Sequence, residues 1–592
     1  MPEEQTQQRR LPWARGDALA LGLLAALVLA FFWPMLRDPA GTFVGVFGNK
    51  GDVEGTLWWN WWVNTALLDG DLSLWQTATL FFPVGTAVAP FYGSVLNVLF
   101  YLPWMRLLPL PLSNNLWCLL IALIDVAVAY FVFRDLTGRR LPALAGAVLW
   151  ALAPFKFLEF RDGHLPQILL TFIPLAAWAL WRLRETPGRT LALVAGAFLM
   201  LDGCGYYQHL YGAFFLAAGI GLSGLWRYRR DPPARRAYLK WQALVAAIVA
   251  VGAVVFYYPL IASVLAGLDA PWEWATRFPP TSQLQQSASH ILILTLGSLR
   301  VQLGGDPAIK IEAAFLLALA VASIVLGLRR RHALVWLLLG VFFALLAIGP
   351  IPSIRSFDPV QGWHGLTWRN PVYILLFNYF PSFNRLYWPD TFWPYAVFAL
   401  AMTATLALAE LPRRAMAIGS AAMILLGLAF STAFVVRQPH VGAFVDREAL
   451  SAMAASDGKA FFPLPTPAGD DYCLPAVVLT GRAMVGGRAR DLGYLEPTEF
   501  ARIAYESQWL RALQKWSQME DYPPPGLEVL ESWKKSGANH VVLHRPTCHA
   551  WDEKQKWSRN VVGLEKFLRE RLDALLGPPL ASDDTWVVYS LP

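Results

Sequence analysis

The run HLYGAFFLAAGIGLSGLWRYRRDPPARRAYLKWQALVAAIVAVGAVVFYYPLIASV (residues 209–264) sets two apolar segments, 209–226 and 241–264, around a short basic knot. The knot holds Arg227, Arg229, Arg230, Arg235, Arg236 and Lys240. Each segment is near the roughly 20 residues an α-helix needs to cross a hydrocarbon core, where no water satisfies free backbone groups. Cations between two such segments mark the cytoplasmic side of a membrane. Outward from this run, the pattern recurs at 17–36, 114–134, 141–158, 166–182, 190–206, 307–328, 333–350, 392–410 and 415–436. Short basic connections separate several of them: Arg134, Arg139 and Arg140; Arg182, Arg184 and Arg189; Arg329, Arg330 and Arg331; Arg413 and Arg414. With Arg9, Arg10 and Arg15 ahead of the first, all these cations fall on one side if the chain alternates. The expectation is a polytopic α-helical membrane protein of about 11 spans, its N-terminus cytoplasmic and its C-terminus outside.

Composition agrees. Of 592 residues 56% are hydrophobic and only 15% charged, with a mean hydropathy of +0.40, whereas soluble domains carry about 25% charged residues. A single large soluble protein, a disordered chain, a coiled coil and a disulfide-dense secreted scaffold are excluded. The net charge of +7 is no argument for nucleic acid, because the arginines sit at the ends of apolar segments. The expected organisation is a cytoplasmic stretch 1–16, a membrane domain 17–436 with long outer loops 37–113, 265–306 and 351–391, and an extracytoplasmic domain 437–592. In the last, strand-like runs 459–463, 539–545 and 586–591 alternate with helical stretches 497–518, 526–536 and 558–576, which predicts a small α/β domain. Cys473 and Cys548 would lie there in an oxidising compartment, a candidate disulfide. Segment 92–109 is apolar enough to insert, but a full span would invert everything downstream, so a re-entrant or surface-lying helix is expected. The first segment carries no apparent cleavage site and is expected to stay as an anchor.

The chemistry-bearing residues lie in the outer loops. The first contains Asp52 and Glu54, then Trp58, Trp59, Trp61 and Trp62. The tryptophans read as an interfacial belt. The two acids share a face if the segment is extended and diverge by about 200° if it opens a helix, where Asp52 would be an N-terminal acid. Between the third and fourth spans a short loop crowds Glu159, Arg161, Asp162 and His164 at a membrane edge, where polar groups usually face a cavity or partner. Asp202, Tyr207, Gln208 and His209 gather where the fifth and sixth spans meet. Arg369 and Arg385, in loop 351–391, are candidates to hold a phosphate bidentately. Asp125, within the second span, is expected to bond to a neighbouring helix. No P-loop, G-x-S-x-G or CxxC occurs, and the cluster His540, His544, Cys548 and His549 is better read as a buried strand than as a zinc site.

An acid in a long first outer loop followed by Trp and by Phe81-Phe82-Pro83-x-Gly85 resembles the bacterial GT-C glycosyltransferases, polytopic enzymes related to the dolichyl-phosphate-mannose and aminoarabinose transferases and to oligosaccharyltransferase. Leu136-Thr137-Gly138-Arg139, Ala153-Pro154-Phe155 ending the third span, and Arg161-Asp162-Gly163-His164 agree with the same family. The resemblance implies transfer of a hexosyl or pentosyl group from a polyprenyl-phosphate-linked donor to an extracytoplasmic acceptor (a cell-envelope glycan, lipid or protein) at the bacterial inner membrane. It implies Asp52 as the base, with Glu54 as competitor, and Asp162 as ligand of a divalent metal ion. Arg161, His164, Arg385, Tyr207 and Gln208 would line the donor-phosphate and substrate site. The first acid lies farther from the first span than in many relatives, and a DxD pair is missing. Two other readings stay open: a transporter, flippase or polysaccharide polymerase, and a non-catalytic membrane scaffold or receptor. A charge-lined path through the spans would favour the former, and Asp125 is its only well-centred candidate.

Cysteine labelling should find residue 235 accessible from the cytoplasm and residues 300, 365 and 500 from outside. Residue 137 labelled from outside would overturn the parity.

Overall fold

The computed structural model describes residues 15–47, 52–68, 76–87, 96, 103–206, 208–266, 307–328, 331–349, 353–358, 362–367, 370–380, 383, 389–437, 439–444, 448–466, 473–486, 498–549 and 563–592. The chain divides into two compact units. One gathers residues 1–37, 116–161 and 165–440; the other gathers 38–115, 162–164 and 441–592.

The first unit is helical, and each apolar stretch assigned to it above contains helix. Among the described residues five helical stretches are long and apolar enough to cross a membrane: Leu110–Thr137, Arg140–Asp162 (broken after Ala151), His209–Arg227, Pro232–Tyr257 and Arg413–Arg437. Helix Trp393–Ala409 is central, buried at nearly every position. A small residue on the neighbouring helix Arg331–Ala347 lets the two approach, as membrane bundles require: Gly340 faces Leu400 so closely that a Cβ would stand 2.7 Å from its side chain. The Ser323 hydroxyl donates to the Leu400 carbonyl at 2.9 Å.

Prolines shape the middle of this unit. The third apolar stretch does not end at Ala153-Pro154-Phe155; Pro154 opens a new helix, Pro154–Asp162, where its missing N–H costs nothing. The expected short loop is therefore two helices, the second Leu165–Ile168, turning at Gly163 with φ +73°. The fourth stretch is interrupted at 169–171 before helix Phe172–Glu185. The interruption is closed by side chains: Lys156 Nζ donates to both the Asp125 carboxylate and the Ile168 carbonyl, and the Thr171 hydroxyl donates to Asp125. Asp125 thus bonds to a neighbouring helix, as expected of an acid within a span.

The second unit is built on a five-stranded mixed sheet in the order Ala581–Ser582, Trp586–Ser590, Ala538–His544, Ala460–Leu464, Ala483–Met484. Ala460–Leu464 runs parallel to both its neighbours, and Trp586–Ser590 antiparallel to Ala538–His544. Its central strands are buried along nearly their whole length. The Phe-Phe-Pro segment covers the outer edge. Met484 N–H donates to Thr79 O at 2.8 Å, Phe82 N–H to Met484 O at 3.0 Å, and Phe81 N–H to Gly486 O at 2.8 Å. Helical stretch 497–518 is two helices, Thr498–Glu506 and Gln508–Ser517, broken at Ser507, whose hydroxyl caps the second through Leu510 N–H at 3.3 Å.

Two expectations are corrected here. Trp58, Trp59 and Trp62 form no interfacial belt; they are buried at 0%, 3% and 6% exposure in this unit's core, with Trp58 and Trp62 stacked at 6.0 Å. Helix Asp52–Leu68, which carries them, packs on Leu474–Thr480. Cys473 and Cys548 are buried thiols not joined in a disulfide. Most of segment 92–109 lies outside the described residues, apart from Leu96 and a short helical turn at 103–107.

His540 and His544 lie on the buried strand Ala538–His544. His540 Nε2 meets Ser456 Oγ at 2.8 Å and His544 Nδ1 meets Thr547 Oγ1 at 2.7 Å. Burial, with Arg482 adding to it, pushes His540 down to about 4, and burial pushes His544 down to about 3. The fold thus favours their neutral forms, a stabilisation present above pH ~6.5 and lost as pH falls towards the folded values. The thermal midpoint of the purified full chain should fall between pH ~6.5 and ~4, and more shallowly for His544→Phe. A profile with the wild-type slope in that variant would refute the assignment.

Candidate functional site

The site begins at Val53. Two glycines with positive φ close on it: a Cβ at Gly45 (φ +125°) would lie 3.2 Å from the Val53 methyls, and one at Gly163 (φ +73°) only 2.7 Å from the Val53 Cα. Only glycine tolerates both the conformation and the approach. The turn Asp162-Gly163-His164 therefore sits against the first turn of helix Asp52–Leu68, within the second unit. Two segments more than a hundred positions apart are brought together, each bearing acids. Asp162 and Glu54 are both 1% exposed, and His164 is half-buried.

Buried amides hold the approach to this helix. Strand Thr42–Val44 pairs antiparallel with Val441–Ala443. Asn115 Oδ1 accepts from Val44 N–H at 2.8 Å, and Asn115 Nδ2 donates to Thr42 O at 2.8 Å. Asn114 Nδ2 donates to Val44 O at 3.2 Å. Together they satisfy backbone groups that a short two-stranded ladder leaves open.

The helix decides the alternative left by the sequence. Segment 52–54 is helical, so positions 52 and 54 stand about 200° apart and do not share a face. Asp52 is the first helical residue, where the macrodipole favours an anion; its side chain lies outside the described residues, as do Tyr207, Arg369 and Arg385.

The other candidates belong to the first unit. Arg161 is buried near the end of helix Pro154–Asp162. Gln208 Oε1 accepts from the Thr391 hydroxyl at 2.8 Å. His209 Nδ1 stands 3.3 Å from Asp202 Oδ1, and Tyr395 OH donates to the Asp202 carboxylate and contacts His209 O at 3.0 Å. A pocket beside this network is lined by Glu159, Gln167, His209 and Thr391. Asp202, Tyr395 and Thr391 had no site role in the sequence reading; the available signal was an acid, Asp202, near the end of an apolar segment. Among the described residues no three His, Cys, Asp or Glu side chains converge to hold a metal ion.

No family model and no curated protein sequence matches this chain. Among solved structures it is similar to the arabinofuranosyltransferase AftD from Mycobacteria, at 16% identity and a TM-score of 0.54, covering 96% of this chain and 40% of that one. It is also similar to the oligosaccharyltransferase AglB from Archaeoglobus fulgidus, solved with an inhibitory peptide and a dolichol-phosphate (10% identity, TM-score 0.48, 89% of this chain and 69% of that one). A third is ArnT from Cupriavidus metallidurans bound to undecaprenyl phosphate (13% identity, TM-score 0.45, 98% and 99%). The fold is thus similar to that of AftD. The chain spans less than half the length of AftD.

The glycine contact can be tested without an activity assay. Gly138 has φ +67° and nothing near its absent Cβ, so Gly138→Ala should cost only the conformational ~1–2 kcal/mol. Gly163→Ala adds a clash with Val53 backbone and should lower the thermal midpoint distinctly further. Equal losses would mean that the close approach does not matter.

Proposed function

We propose that this protein is a multi-pass glycosyltransferase of the bacterial inner membrane that moves a hexosyl or pentosyl group from a polyprenyl-phosphate donor to an extracytoplasmic acceptor. About 11 spans, a cytoplasmic N-terminus and an external α/β C-terminal domain belong to this reading. The observation that carries it is the turn Asp162–His164 seated on the first turn of helix Asp52–Leu68, in a chain with a GT-C-like fold. Glycosyl transfer from a lipid phosphate needs a carboxylate to take the acceptor's proton as the anomeric carbon becomes oxocarbenium-like. It also needs donors or cations on the leaving phosphate. The base is assigned to Asp52, with Glu54 the competitor. Arg161 and Arg385 are assigned to the phosphate, and His164, Tyr207 and Gln208 to substrate. A divalent cation would take Asp162 as a ligand, but the described residues supply no cluster of three donors, and no step is assigned to it. A transport path gains no support from Asp125, which is engaged by Lys156 and Thr171.

Transfer from a labelled polyprenyl-phosphate sugar by purified protein should drop about 10²–10⁴-fold in Asp52→Asn if that carboxylate is the general base. Loss in Glu54→Gln with retention in Asp52→Asn moves the role by two residues. Full activity in both folded variants, or an intact surface glycan in an Asp52→Ala strain, would refute the base assignment.

A further inference from the structure

The hairpin joining helices His209–Arg227 and Pro232–Ala266 is the richest in cations of the basic connections. Its six cations, Arg227, Arg229, Arg230, Arg235, Arg236 and Lys240, are all exposed. Among the described residues none of them pairs with a carboxylate; the one acid of the hairpin, Asp231, accepts from Ala234 N–H at 3.0 Å as a helix cap. In two other basic connections some of the cations are paired with acids. Arg134 and Arg140 each reach Asp17 at 3.2 Å, and Arg182 reaches Asp135 at 2.6 Å and Glu185 at 2.8 Å.

The hairpin is also a built surface. Tyr238, fully buried, fills the space against Gly224, where a Cβ would lie 2.3 Å from its ring. It stacks near Tyr228 at 5.6 Å and accepts from Gln242 at 2.8 Å. Tyr228 OH in turn donates to Arg184 O at 2.9 Å. Trp226, 70% exposed, lies under the Arg229 guanidinium at 4.2 Å, and Trp241 lies under the Lys240 ammonium at 4.8 Å. Tryptophans beside cations at the ends of candidate spans stand at headgroup depth.

We propose that this hairpin is a binding site for anionic phospholipid headgroups, held by Arg229, Arg230, Arg235 and Arg236. The chemistry is that of phosphodiesters: guanidinium groups engage phosphate oxygens bidentately, and a cluster of four or more Lys/Arg beside a span attracts anionic lipid. The inference rests on helices His209–Arg227 and Pro232–Tyr257 being membrane spans, not on the transferase reading.

The test uses the full chain in nanodiscs of phosphatidylcholine with graded phosphatidylglycerol, after insertion, so that the sorting role of the cations cannot move the readout. Lipid retained through purification, measured by native mass spectrometry, should favour phosphatidylglycerol at least about tenfold over its bulk fraction. The preference should weaken as salt rises from about 0.05 to 0.5 M. The fourfold variant Arg229→Gln, Arg230→Gln, Arg235→Gln, Arg236→Gln should abolish it, whereas the corresponding Arg→Lys variant, which keeps the charge, should retain part. Retention of phosphatidylglycerol at its bulk fraction by wild type overturns the site and would leave the cluster to a soluble acidic partner. An unchanged preference in the Gln variant overturns it too. Should the Gln variant fail to insert, the salt dependence and the Lys variant decide. A chain that cannot be recovered in nanodiscs at all contradicts the spans themselves.

Discussion

The Lys156 side chain, buried among apolar helices, is met by two partners. One is the Asp125 carboxylate and the other the Ile168 carbonyl, which also accepts from Leu170 N–H at 3.0 Å where the chain breaks before Phe172. A charge alone in such surroundings would cost several kcal/mol, and an unmet carbonyl would cost more besides. The pair need not add stability over a well-packed apolar alternative. It specifies which breaks the chain can afford: helix Pro154–Asp162 and the turn after Leu165–Ile168 exist because their loose ends are met by Lys156, Asp125 and Thr171. Glu159 and Arg161 ride on the helix that carries Lys156.

The second unit solves a different problem. Its helix Asp52–Leu68 is as apolar as many spans, yet it is buried in protein against Leu474–Thr480 and the edge of a mixed sheet. Four tryptophans in five residues satisfy equally well a headgroup belt or the core of a water-soluble layer, since either environment accepts a large apolar ring. What separates the two is partners far away in sequence, which local composition does not contain.

That is where legibility in the sequence ends. Apolar runs of about 20 residues betray helices because hydrocarbon permits little else, and the run Asn-His-Val-Val-Leu-His betrays a buried strand. The breaks at Pro154, at 169–171 and at Ser507 were blurred because a proline or a capping serine interrupts a helix without interrupting its hydropathy. The meeting of Gly163 with Val53 is visible only as an unremarkable glycine. Its meaning depends on a positive φ and on a neighbour over a hundred residues away. Asp202 and Tyr395 likewise read as isolated polar residues until the fold joins them.

Helical geometry also separates the two acids of segment 52–54. Glu54 and Trp58 are four positions apart and so lie on one face. Trp58 is wholly enclosed, and Glu54 is nearly so. Position 52, about 200° around the helix from Glu54, opens the helix that Gly163 presses against. The same turn that excludes a second side chain at Gly163 thus sets Asp162 beside the start of the Asp52 helix.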